Sequence, residues 1–310
     1  MIVKLDLEKA YDCIEWSFVR KALISFNFPP TLIAIIMSCI SFAELSIVIN
    51  GGITESFQPS RGLRQGDPLS PYLFMLCVEF LSIKLQVDQS ARRWKGAKLG
   101  KSSPILTHLF FADGLIFIGK ATTANASYLD HFLSFFYQRF GQKINSTKSK
   151  IFFSQNVQVN TKSEICRKLQ FSKTSSFDKY LGFPITGKRL SKSDCKFIVD
   201  KVRNKLIGWK ANMLSLAGKT TLVSYVLSAI PNYYMQGAYL PDFIHNELDK
   251  ISKQFIWGST IGNRKAHLVS WEKITQPKKL GGLNLRSSKE ANQASMAKAL
   301  WRLVTEKDSF

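Results

Sequence analysis

Two aspartates at the ends of apolar runs are the residues of this sequence that could do chemistry together. Asp113 lies in His108-Leu109-Phe110-Phe111-Ala112-Asp113-Gly114-Leu115-Ile116-Phe117-Ile118, where two oily runs flank an acidic turn. Asp-Gly between such runs is a strong hairpin signal, because glycine accepts the positive φ of a tight turn. That reading puts Asp113 at a hairpin tip. Asp6 lies near the end of the alternating stretch Ile2-Val3-Lys4-Leu5-Asp6-Leu7, which reads as a strand. Hard cations such as Mg²⁺ keep several waters and accept one or two protein carboxylates. Two aspartates on adjacent strand ends would therefore suffice to hold a metal pair, roughly 4 Å apart, for phosphoryl transfer. A solvated aspartate at a turn is the commoner use of this pattern, and the rest of the chain decides between the two.

The elements that would position these carboxylates are legible on either side. After the first strand, Glu8-Lys9-Ala10-Tyr11-Asp12 leads to a helix over Trp16–Ser25 closed by Pro29-Pro30, a second helix over Thr31–Ser41, and a strand over Leu45–Asn50. Gly51-Gly52 turns that strand into a hairpin with Ile53–Phe57. Arg61-Gly62-Leu63-Arg64-Gln65-Gly66-Asp67-Pro68-Leu69-Ser70-Pro71 reads as a loop running into a helix, with Ser70 as N-cap and Pro71 at the first helical position. That helix carries Leu73, Leu76, Cys77, Phe80 and Leu81 at core-facing spacing. Beyond the central hairpin come a helix over Asn125–Phe140 ended by Gly141, a strand over Lys148–Phe153, and Tyr180-Leu181-Gly182-Phe183-Pro184 as a strand with a tight end. From Leu190 the texture turns helical, with helices over Asp194–Trp209, Gly218–Ala229, Ile244–Trp257 and Ala291–Val304, and Pro231 and Pro241 as breaks.

Composition bounds the partners. The 310 residues carry 45% hydrophobic and 21% charged residues, a globular balance with no fixed-period repeat. Lys and Arg number 43 against 22 Asp and Glu, a net charge of +21. Such a field draws phosphate backbones through counterion release, so nucleic acid leads as partner and an anionic membrane surface follows. Five scattered cysteines without CxxC spacing argue against a disulfide framework and a zinc site, and point to a reducing compartment. The apolar run Pro30–Ile40 is too short to span a bilayer and no signal-peptide pattern opens the chain. The expectation is a soluble, intracellular protein without a membrane partner. Gly218-Lys219-Thr220 lacks the first glycine of a phosphate loop, because position 213 is Met, and the four histidines (108, 131, 245, 267) have no metal-ligand spacing.

Taken in order, Leu5-Asp6-Leu7-Glu8-Lys9-Ala10-Tyr11-Asp12, Arg64-Gln65-Gly66-Asp67-Pro68-Leu69-Ser70-Pro71 and Phe111-Ala112-Asp113-Gly114 resemble successive palm motifs of reverse transcriptases, in particular those of LINE-type, non-LTR retrotransposons of plants. Lys143-Ile144-Asn145, Lys148-Ser149-Lys150, Tyr180-Leu181-Gly182, Leu216-Ala217-Gly218-Lys219, His267-Leu268-Val269-Ser270-Trp271 and Gly281-Gly282-Leu283 extend the resemblance over nearly the whole chain. Each piece alone is a weak pattern, while their order and spacing are specific. The resemblance implies an α+β fold: a polymerase right-hand palm, its antiparallel sheet packed on helices, over 1–189 (motifs A to E), then a mainly helical thumb and C-terminal region over 190–310. It implies an RNA-directed DNA polymerase using two Mg²⁺ ions, with an RNA template, a DNA primer or RNA–DNA hybrid and dNTP as partners.

Carried over residue by residue, the resemblance makes Asp6 and Asp113 the metal ligands and Tyr11 a steric gate under the incoming sugar. Gln65 and Gly66 would lie against nucleotide and template. Arg64 reads either as a phosphate contact or as a surface arginine, and Lys148 either as a pyrophosphate contact or as a solvated lysine. Tyr180, Leu181 and Gly182 would form the primer grip. Two departures stand out. The family's Ala-Asp-Asp turn has Gly114 in place of its second aspartate, and the chain opens at the first palm motif, so the fingers are expected to be largely absent. Impaired or absent turnover follows as an expectation, with a non-catalytic, basic nucleic-acid-binding remnant as the alternative.

Overall fold

The computed structural model describes residues 1–98, 100, 103–185, 189–207, 214–258 and 268–306. Its backbone divides into two compact units, 1–180 and 181–310, against a change of texture expected at Leu190.

The first unit is built on β1 (Ile2–Glu8), whose alternation buries Val3, Leu5 and Leu7 and turns Lys4 and Asp6 to the other face. Two helices follow, α1 (Trp16–Ser25) and α2 (Pro30–Ser41), then the hairpin β2 (Val48–Ile49) and β3 (Gly52–Ile53), shorter than the sequence suggests and extended by a bridge between Leu45 and Phe57. Helix α3 (Ser70–Ser90) buries Leu73, Phe74, Cys77, Val78, Leu81 and Leu85. It is long and apolar enough to cross a membrane by length and composition, yet this stripe lies in the unit's core. Ser70 does not cap it: Ser70 is the first helical residue, Leu69 stands at the N-cap without a side-chain cap, and the Leu69 N–H donates to Asp67 Oδ1 at 2.8 Å.

The short strands β4 (Ala97–Lys98) and β5 (Ile105–Leu106) pair with each other and precede the hairpin β6 (His108–Phe111) and β7 (Gly114–Ile118). Helix α4 (Thr123–Phe140) is capped by Thr122, whose hydroxyl accepts the Asn125 N–H, and stops at the left-handed Gly141. Its inward residues Leu129, Phe132, Leu133 and Phe136 are those the spacing predicts. After β8 (Lys143–Ile144), β9 (Lys150–Phe152) and α5 (Val159–Leu169) come β10 (Ser172–Thr174) and β11 (Phe177–Tyr180). The main sheet runs β10-β9-β1-β7-β6, with β8 also on β1. Every pairing in it is antiparallel except β9 with β10. The unit combines helices with a sheet that is antiparallel but for one pair, in keeping with the α+β expectation, and β1 lies in its middle.

Tyr180-Leu181-Gly182-Phe183-Pro184 is not one strand. Leu181 and Gly182 both take positive φ (52° and 78°), a two-residue turn between Tyr180 and β12 (Phe183–Ile185).

In the second unit, α6 is described over Lys192–Ile207, and Trp209, the end expected from the sequence, lies outside the described residues. Pro231 does not break its helix. Helix α7 (Leu216–Leu222) passes into a π turn over Val223–Leu227 and then α8 (Ala229–Gly237), with Pro231 in the first turn of α8. Proline cannot donate to the carbonyl four residues back, and the wider turn accommodates that loss: the Ser228 N–H bonds Val223 O five residues back at 3.1 Å. Pro241 leads α9 (Asp242–Trp257) as its N-cap, followed by α10 (Trp271–Thr275) and α11 (Ser288–Thr305). Buried Asn292 ties α11 to the end of α8, accepting the Leu240 N–H at 2.8 Å and donating to Met235 O at 2.9 Å.

Candidate active site

The register of β1 on β7 sets the geometry. Asp6 stands opposite Gly114 and Leu5 opposite Leu115, while β6 closes on β7 at Phe111 and Gly114. The hairpin is therefore real, but its turn is Ala112-Asp113, one residue earlier than the Asp-Gly pattern predicts. Ala112 takes the positive φ (49°), and Gly114 is drawn into the ladder because β1 pairs with it. Asp113 is exposed at the tip and Asp6 sits half-exposed on the neighbouring strand end.

Asp6 is fastened by the segment between β8 and β9. Its N–H donates to Ser149 Oγ at 3.2 Å, its carbonyl accepts the Asn145 N–H at 2.9 Å, and its Oδ2 lies 3.7 Å from Lys148 Nζ. Asn145 shapes this turn by accepting the Thr147 and Lys148 N–H groups, each at 3.1 Å. Lys148 thus stands at the carboxylate of Asp6, with its side chain 70% exposed. The anchoring serine, wholly buried, is not distinguishable in the sequence from any other serine in a basic run.

Tyr11 is half-buried and stacks on Phe74 of α3, ring centroids 5.0 Å apart at 21°. It lines a cleft of about 470 Å³ together with Pro71, Met75, His108, Phe111 and Ala112, and so faces the hairpin that carries Asp113. Burial pushes the His108 imidazole below its ordinary pKa, and its ring nitrogens meet Ser82 Oγ and Thr107 Oγ1, each at 2.8 Å. The role of Phe74 as the platform for Tyr11 has no signal in the sequence beyond its place one residue along from Leu73.

The Gln-Gly loop is stitched to the turn after β1: the Leu63 N–H donates to Tyr11 O and the Gly62 N–H to Ile14 O, each at 2.8 Å. Gln65 reaches Asp12 Oδ1 at 3.5 Å. Gly66 has φ 89° with open space around its α-carbon, a conformation that favours glycine. Arg64 is exposed near the end of α2. Of the three residues expected as primer grip, Tyr180 ends β11 and its ring lies against Gly114, whereas Leu181 and Gly182 belong to the second unit, where the Tyr233 hydroxyl donates to Leu181 O at 2.7 Å. Gly218-Lys219-Thr220 lies in the first turn of α7, capped by Ser215, and His267 is outside the described residues.

Among the described residues, no group of three or more His, Cys, Asp and Glu side chains converges as a metal cluster. The donor set is a pair of carboxylates on neighbouring strand ends, open to solvent. Such a set fits a hard cation that retains most of its waters rather than an all-protein cage.

A family model described as reverse transcriptase (RNA-dependent DNA polymerase) matches residues 1–185. An uncharacterised mitochondrial protein of Arabidopsis thaliana is 51% identical over 69 residues, 22% of this chain and 57% of its own length. A second Arabidopsis thaliana protein, named for ribonuclease H, is 43% identical over 127 residues, 41% of this chain and 20% of its own. The Retrovirus-related Pol polyprotein from the type-1 retrotransposable element R2 of Popillia japonica is 32% identical over 117 residues, 38% of this chain and 18% of its own. The chain thus spans only part of the curated relatives it matches. Among solved structures, telomerase from Candida albicans in complex with a fragment of telomeric RNA aligns at TM-score 0.42 with 12% identity, over 83% of this chain and 43% of that one. With the family model matched over more than half of its length, the chain belongs to the reverse transcriptase (RNA-dependent DNA polymerase) family.

Proposed function

We propose that this chain is the RNA-directed DNA polymerase palm and thumb of a LINE-type, non-LTR retrotransposon of plants, and that its turnover is impaired or absent as it stands. The observation that carries the reading is the β1–β7 register, with Asp6 and Asp113 on neighbouring strand ends beside the cleft lined by Tyr11. The R2 polyprotein and the Arabidopsis relatives support the retrotransposon and plant parts of it.

In this reading Asp6 and Asp113 hold two Mg²⁺ ions, which when bound lower the pKa of a primer 3′-hydroxyl and neutralise charge on the leaving pyrophosphate. Tyr11, held flat by Phe74, excludes a 2′-hydroxyl from the incoming sugar. Lys148 offers its ammonium to the triphosphate, and the Gln65-Gly66 backbone lies along the nascent pair. RNA template and primer are held by the protein's positive field. Loss of the carboxylate at Gly114 favours a second reading, a nucleic-acid-binding remnant without turnover.

The test is nucleotide incorporation on a primed RNA template with Mg²⁺, alongside binding of the same template. Weak incorporation that Asp113→Asn and Asp6→Asn abolish, with template binding kept, is the expected result. Incorporation indifferent to both changes would sink the site assignment. Tight binding with no incorporation by the parent or by Gly114→Asp would establish the second reading.

A further inference from the structure

A hollow of about 330 Å³ opens where the end of α4 meets the start of α1, lined by none of the residues assigned to the candidate active site. Four cations from four segments face it: Lys21 of α1, Arg61 of the loop before α3, Arg139 of α4 and Lys143 of β8. Glu15 is the one carboxylate among the described residues that line it, and it pairs with Arg61 at 3.8 Å. Lys21, Arg139 and Lys143 enter no ion pair among the described residues. The end of α4 does not need them as caps, the ordinary use of basic residues there. The Gly141 N–H donates to Tyr137 O at 3.1 Å and the Glu15 N–H to Phe140 O at 3.2 Å, so backbone groups already satisfy those carbonyls.

Tyr137, 52% exposed, brings an aromatic side chain to the same hollow. An open ring beside unpaired cations, in a space at the low end of small-ligand sites, suits one nucleotide, its base on the ring and its phosphates on the cations. Strand register relates the hollow to Asp6. Lys143 stands opposite Glu8, and residues directly across a ladder share a face, as do residues two apart along a strand. Lys143 therefore lies on the face of the sheet that carries Asp6.

We propose that this hollow is a second nucleic-acid site, which takes one nucleotide of a single strand: Tyr137 stacks on the base, while Lys21, Arg61, Arg139 and Lys143 hold the flanking phosphates. A strand lying on the Asp6 face reaches it without crossing the sheet. A duplex cannot use the ring, because its bases are already stacked on one another. The site shares with the proposed function only the nucleic-acid partner and does not depend on Asp6 or Asp113 holding a metal.

The experiment measures, by fluorescence anisotropy with the full chain, binding of oligo(U) and of a blunt RNA–DNA hybrid of equal length. Tyr137, Arg139 and Lys143 are exposed, so their variants should melt like the parent. Tyr137→Ala should weaken oligo(U) binding about tenfold, within the range of one lost base stack, and Tyr137→Phe should keep it. Hybrid binding should respond to neither. Arg139→Ala with Lys143→Ala should weaken oligo(U) binding several-fold more than Lys278→Ala with Lys279→Ala, which removes the same charge from exposed positions of the second unit. Oligo(U) binding indifferent to Tyr137→Ala, or weakened no more than hybrid binding, would overturn the proposal and leave the polymerase reading standing. Equal losses from the two lysine and arginine pairs would overturn the phosphate contacts, and a parent that binds neither ligand would end both readings.

Discussion

Asp6 stands directly across the β1–β7 ladder from Gly114, so the position in register with the first metal-ligand candidate is the one that carries no side chain. Asp113, the second candidate, lies one residue outside that pair, in the turn and exposed. The two carboxylates are therefore neighbours by strand pairing rather than by sequence, and small changes at the hairpin reach both.

The Tyr11–Phe74 stack should carry stability and sugar choice together. Phe74 is almost wholly buried, and Phe74→Ala is expected to cost about 3–5 kcal/mol in urea unfolding. Tyr11→Phe keeps the stack and should be nearly neutral, while Tyr11→Ala forfeits about 1 kcal/mol of ring contact beyond lost burial. With incorporation as readout, Tyr11→Ala should admit ribonucleotides that the parent rejects. Unchanged sugar preference would remove the gate role.

Asp249 predicts a pH dependence in the second unit. Its Oδ1 accepts the Ser288 N–H at 2.9 Å at the start of α11, yet burial pushes its carboxyl above the ordinary range. The native state then holds this proton more tightly than the unfolded chain does. The group's contribution to stability is full below the unfolded carboxylate range, near about 4, and is lost as pH rises through the raised native value. Asp249→Asn keeps an acceptor for Ser288 without the charge, so the variant should gain on the parent between pH 4 and pH 7. Denaturant unfolding at both values checks this, and parallel shifts would contradict it.

Thiol reactivity should follow burial. Desolvation pushes the Cys77 thiol up to about 12 and that of Cys195 to about 11, whereas Cys39 is exposed on α2. At pH 8 a maleimide should label Cys39 first and reach Cys77 and Cys195 only on unfolding, because the thiolate is the reacting species. Peptide mass mapping against time reads the order, and early labelling of Cys77 would show that the core of α3 opens readily.

With a net charge of +21, binding to RNA or an RNA–DNA hybrid should show little sequence preference and fall steeply on a log–log plot against salt. Asp6→Asn should leave this binding intact or tighten it, since a repulsive carboxylate is removed. A flat salt response would exclude a phosphate-tracking surface.

The sequence by itself determined what local pattern can encode. The alternation in Ile2–Leu7 named the strand and the inward faces of Val3, Leu5 and Leu7. The 3.6-residue stripe named the core face of α4, and Gly141 named its stop. Only the tertiary structure decided matters of register. Pairing with β1 draws Gly114 into the ladder and moves the turn onto Ala112-Asp113, since a strand's alignment follows from its neighbour's hydrophobic face rather than from its own residues. Ser149 as an anchor of Asp6, Phe74 as the platform of Tyr11 and Tyr180 as the neighbour of Gly114 are contacts between residues 63 to 143 positions apart. No local spacing records them, because side-chain periodicity within one element says which face is buried and not which distant residue meets it.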